Sequence, residues 1–173
     1  MPDRSAPARN PPASGRPLII LLAFALGVLS TYVAASLLQT AFVLAGLIGA
    51  GASIPFIAGL KTAAQDLYGL TFNALFIPYP LLLLAGFLVA LPTAALLRRA
   101  TGWPRQWLYP LAGAIMMASL LVLAKIVFYG ITLYAGTRGA GGFLGQMVAG
   151  AIGGWVFATV LDRYDAKSQG RAP

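Results

Sequence analysis

The sequence predicts an all-α, polytopic membrane protein: a four-helix transmembrane bundle with a short amphipathic interfacial helix between spans 1 and 2. Three observations carry this. Hydrophobic residues make up 59% of the 173-residue chain and charged residues 9%, where a soluble domain carries about 25% charge. The uncharged runs at 17–60, 67–97, 106–124 and 139–161 match or exceed the roughly 20 apolar residues a bilayer-spanning helix needs. The basic residues flank those runs: Arg4, Arg9 and Arg16 precede the first, Arg98, Arg99 and Arg105 stand in the break "RRATGWPR", and Arg163, Lys167 and Arg171 follow the last. That is the positive-inside pattern, and it places both termini in the cytoplasm, as in a bacterial inner membrane. The net charge of +8 is thereby explained without a nucleic-acid partner.

Residues 1–17 hold five prolines, three arginines and no apolar periodicity, which predicts a disordered basic tail. The transmembrane domain follows over 18–161. From Leu18 to Ile48 the chain has 31 residues before the breaker "GAGASIP", about 46 Å of helix against a core of about 30 Å. Either one long helix tilts or projects, or the chain turns near Gln39 and residues 41–60 re-enter. No Gly or Pro stands near Gln39, so one long helix is expected.

Residues 53–69, "SIPFIAGLKTAAQDLYG", begin with a capping Ser53 and with Pro55 in the first turn, where its missing N–H does no harm. Phe56, Leu60, Ala63 and Leu67 recur on one side. Lys61, Thr62, Gln65 and Asp66 fall on the other, so an interfacial helix is expected, with Asp66 aimed at water. Span 2 is expected over 78–97, kinked by Pro92. Span 3 covers 107–134, with Trp103, Trp107 and Tyr109 as one aromatic belt and Tyr129 and Tyr134 as the other. Span 4 covers 142–161, and 162–173 is a second cytoplasmic tail.

Span 4 carries a broad face of small residues. Gly142, Gln146, Gly150, Gly154 and Ala158 fall at i+4 steps, and Gly145, Ala149 and Gly153 form the adjacent row. Such a face admits a neighbouring helix closely. Span 1 offers Ala23, Gly27, Ser30, Ala34, Ala41, Ala45 and Gly49. The two faces are expected to meet within one chain; the alternative is that one receives another chain.

Chemistry is scarce. The chain has no Cys, His or Glu, and its four aspartates (Asp3, Asp66, Asp162, Asp165) lie outside the long apolar runs. Thiol and imidazole chemistry are excluded, and no catalytic, cofactor or metal site is expected. Ser119 and Lys125 are six residues apart, which puts them on different helix faces and argues against a Ser–Lys dyad.

One cation stands out. Lys125 lies in "LLVLAKIVFYGITLYAG", with no carboxylate within thirty residues. It either snorkels to the interface or faces the interior beside Tyr129 at i+4, with Gln146 and Gln39 at similar depth. Inside, it would hold an anionic lipid phosphate or a partner's carboxylate. Two function classes remain: a non-catalytic integral membrane subunit or assembly and stabilising factor of a larger complex, or a small oligomeric transporter for a solute or lipid. The expected partners are the bilayer, and a membrane protein or further copies of the chain.

Overall fold

The computed structural model describes residues 16–53, 55–72, 78–127 and 139–168. They form α1 (Arg16–Gly49), α2 (Phe56–Phe72), α3 (Tyr79–Thr101), α4 (Arg105–Val127) and α5 (Ala140–Ser168). Four of these, α1, α3, α4 and α5, are long and apolar enough to cross a bilayer, and the chain is a multi-pass membrane protein built on a four-helix bundle.

Local chemistry sets the ends. α1 runs unbroken past Gln39 and Thr40, so residues 41–49 continue the first span. It stops where Gly51 adopts φ 93° and the amides of Ala50, Gly51 and Ala52 fold back onto carbonyls of residues 46–48; glycine takes this left-handed conformation without a Cβ penalty. α3 stops in the same way at Gly102, φ 70°, whose N–H bonds to the Arg98 carbonyl. Pro92 lies inside α3 without ending it. The helix of the fourth span extends to Ser168, so residues 162–168, expected in the tail, are helical. Span 3 is described to Val127. Residues 1–15 and 128–138, with Tyr129 and Tyr134, lie outside the described residues.

The spans form a ring in the order α1, α5, α4, α3. α5 runs antiparallel to both neighbours, and its glycines face both. On the α4 side a Cβ on Gly150 would come to 2.9 Å from the Gly113 carbonyl carbon, and one on Gly154 to 2.6 Å from that of Tyr109. On the α1 side a Cβ on Gly153 would meet the Gly27 oxygen at 2.6 Å, and one on Gly145 the Phe42 ring at 2.6 Å. Gly142 is also buried. These helices touch backbone to backbone, gaining van der Waals contact in place of the hydrophobic drive that lipid does not supply. On α1 the buried row is Ala23, Gly27, Thr31 and Ala35, continuing to Ser36 and Thr40. The small row expected to continue it is exposed at Ala41, Ala45 and Gly49. The reason is length: Phe42 already packs beside Gly141, at the start of α5, so α1 beyond it has no α5 to face.

The interhelical core has two layers. Nearer the basic end are Ala23, Phe87, Leu91, Ala94, Leu108, Tyr109, Met116 and Phe157. Beyond them are Tyr32, Ala35, Tyr79, Leu83, Met117, Leu121 and Ala149. At the basic end itself Arg105 ties α4 to α5 through Asp162 (3.3 Å) and Asp165 (2.6 Å).

The short helix between spans 1 and 2 is present as α2, but its orientation differs from expectation. It pairs lengthwise and antiparallel with the far half of α1. Gly59 lies against Leu44, Asp66 against Thr40, and Leu67 against Tyr32. Asp66 therefore faces α1, not water, and Leu60 is 63% exposed instead of packed. Two bonds accompany this placement: Thr40 Oγ1 to the Asp66 carboxyl and the Tyr32 hydroxyl to the Leu67 carbonyl, while Lys61 and Gln65 of the same polar face stay exposed; burying polar groups is tolerable only where they are bonded.

Candidate functional site

The polar side chains of the far core layer form one connected cluster. Gln146 on α5 is 2% exposed. Its Nε2 donates to the Ala35 carbonyl at 3.0 Å, and its Oε1 accepts from the Tyr79 hydroxyl at 3.1 Å. That hydroxyl also lies 3.6 Å from Met117 Sδ. The Tyr79 ring sits 6.3 Å from that of Tyr32, tilted by 49°, within the range of favourable aromatic pairs. The Tyr32 hydroxyl donates to the Leu67 carbonyl.

Thr40 and Asp66 close the cluster. Thr40 Oγ1 lies 2.6 Å from Asp66 Oδ2 and 3.1 Å from the Ser36 carbonyl. A hydroxyl has one proton, so Thr40 donates to one of these two acceptors at a time, the Asp66 carboxyl being the nearer. The Ser36 hydroxyl and Thr31 Oγ1 are buried without a hydrogen-bond partner among the described residues.

Of the residues singled out from the sequence, Gln146 lies at the centre of this cluster. Gln39 is half-buried on α1. Lys125 is exposed, on the side of α4 that also presents Trp107, Leu111, Val122 and Ile126. It makes no hydrogen bond or ion pair among the described residues. Twenty residues separate it from Arg105, about 30 Å of helix, a full hydrocarbon core. Tyr129 lies outside the described residues.

Tyr32, Thr40, Asp66 and Tyr79 were not singled out as site residues. A signal for part of the set exists: Tyr32, Ser36 and Thr40 fall at i+4 steps in an otherwise apolar helix, a polar stripe on one face. The Arg105 clamp has one too, since Asp162 and Asp165 are three residues apart and share a face.

The cluster offers one carboxylate, hydroxyls and an amide. Among the described residues no three His, Cys, Asp or Glu side chains gather to hold a metal. Toward the basic end the cluster meets the apolar layer of Phe87, Leu91, Met116 and Phe157, so its polar groups do not continue across the bundle. Comparison with protein-family models, with curated proteins and with solved structures gives no match for this chain.

Proposed function

We propose that the chain is a non-catalytic membrane subunit or assembly factor that docks a partner through the α1–α2 hairpin. In this reading the basic end is cytoplasmic, in a bacterial inner membrane, and the hairpin stands on the opposite side. The observation that carries the reading is an excess of helix. α1 has 34 residues, about 50 Å; even tilted by 40°, the upper end of the usual range, it would rise about 38 Å through a core of about 30 Å. Its far end and the start of α2 therefore stand beyond the hydrocarbon. There Leu47, Ile48, Ile57 and Leu60 are 47–79% exposed. Large apolar side chains left exposed at that end favour a protein contact. Lys125, at the same boundary, would meet an anionic group of the partner or a lipid phosphate.

The apolar layer across the bundle supports this reading over a solute path through a single copy. The test is purification from native membranes in mild detergent, comparing wild type with an Ile48→Ser, Ile57→Ser, Leu60→Ser variant. A stoichiometric partner, or a second copy, should be lost from the variant without a change in the variant's own melting temperature. A variant that keeps its partners, or a purified wild-type protein that carries solute into liposomes, would overturn the proposal.

A further inference from the structure

The α1–α5 and α4–α5 seams close on glycine backbones, whereas α3 and α4 meet through side chains such as Met116 and Leu120 against Gly86. Between these two helices lies a groove of about 390 Å³ open to the bilayer. Its lining runs from Gly86 to Leu97 on α3, about 16 Å of helix, and from Leu108 to Leu123 on α4, about 22 Å. Apart from two hydroxyl side chains its lining is apolar, which suits a hydrocarbon chain. It has little to offer a polar solute: the Thr93 hydroxyl is turned to the Val89 carbonyl at 2.8 Å, and Ser119 is the other side-chain hydroxyl in the lining.

Leu97 is the last α3 residue of the lining, and Arg98 follows it in sequence. Gly86, Ala90 and Ala94 line the groove at i+4 steps, and the next step of that row is Arg98. Arg98 is half-exposed and makes no ion pair among the described residues. The carboxylates described at that end, Asp162 and Asp165, are both held by Arg105. Arg99, one residue on, is turned about 100° further round the helix and is exposed.

We propose that this groove binds an anionic phospholipid of the leaflet at the basic end, with one acyl chain between α3 and α4 and the phosphate on Arg98. The site is separate from the hairpin, and the proposal stands whether or not the hairpin docks a partner. The test is native mass spectrometry of the full chain, purified in detergent and offered dioleoylphosphatidylglycerol or dioleoylphosphatidylcholine in equal amounts. Phosphatidylglycerol should be retained in preference. Arg98→Gln should lower its retention about fivefold, the factor one cation near an anionic lipid is worth, and Arg98→Lys should restore most of it. Arg99→Gln should match wild type. Thr93→Phe, at an exposed position on the groove wall, should abolish retention while leaving the lipid-free melting temperature unchanged. Equal retention of the two lipids, an Arg98→Gln variant indistinguishable from Arg99→Gln, or a filled groove that still holds phosphatidylglycerol would each overturn the proposal. So would a Thr93→Phe variant that loses a protein partner and keeps its lipid.

Discussion

Replacing Gly150 by alanine adds one methyl group at the tightest helix crossing. The new Cβ would lie 2.9 Å from the Gly113 carbonyl carbon, nearer still to its oxygen, and 3.0 Å from Met117 Cβ. Ordinary Cβ contacts begin at 3.4 Å, so α4 and α5 must separate by at least about 0.5 Å over a backbone contact that cannot rotate away. Overpacking of this kind costs about 1–3 kcal/mol. On soluble proteins of this size that is roughly 2–12 °C in melting temperature. Gly154→Ala should fall in the same range, because its Cβ meets Tyr109 and Pro110 backbone. Gly153→Ala should cost less if Thr31 can turn its hydroxyl aside, but the Gly27 carbonyl at 2.6 Å keeps the change unfavourable. Gly46→Ala is the control: nothing lies within 4 Å of its Cβ, and helix propensity alone predicts a gain of up to about 1 kcal/mol. The assay is thermal unfolding in one detergent for all four variants. If Gly150→Ala melted with wild type and Gly46→Ala, the α4–α5 crossing described here would be wrong.

Four further outcomes are expected. Gln146→Leu removes the bonds to Tyr79 and Ala35 and should cost about 1 kcal/mol in detergent unfolding, because intramembrane hydrogen bonds are individually modest; no loss would detach Gln146 from the cluster. Arg105→Gln leaves Asp162 and Asp165 unpaired and should lower stability by up to about 1 kcal/mol at low salt, with a smaller difference at high salt. Lys125→Leu should leave the stability of the isolated protein unchanged, given its exposure, while reducing retention of the hairpin's partner; a clear loss of stability would place Lys125 in the interior. Reporter fusions after Ala13, Arg105 and Lys167 should read cytoplasmic and those near Gln65 and Thr137 external, and an external reading at Arg105 would overturn the assigned orientation.

Much of the fold is legible in the sequence because the bilayer imposes a one-dimensional rule. A span must be long and apolar, so the four long runs mark where the four spanning helices lie, although α5 runs seven residues past its expected end at 161. The glycines of α5 likewise announce close packing, since a missing side chain has few other uses in mid-membrane. What composition and periodicity could not decide is which neighbour each face meets. α5 carries glycines on two flanks, and only the ring order shows that Gly150 and Gly154 serve α4 while Gly153 serves α1. The polar site depended on tertiary structure in the same way. Gln146 was visible as a polar residue in an apolar run, but its partners come from α1 and α3, 111 and 67 residues away in sequence. Asp66 read as water-facing because helical spacing describes only its own helix. Its partner is the hydroxyl of Thr40, twenty-six residues earlier. Hydrophobic length is a property of a segment and can be read from it; a buried hydrogen bond is a property of two segments, and its second partner is known only once the chain has folded.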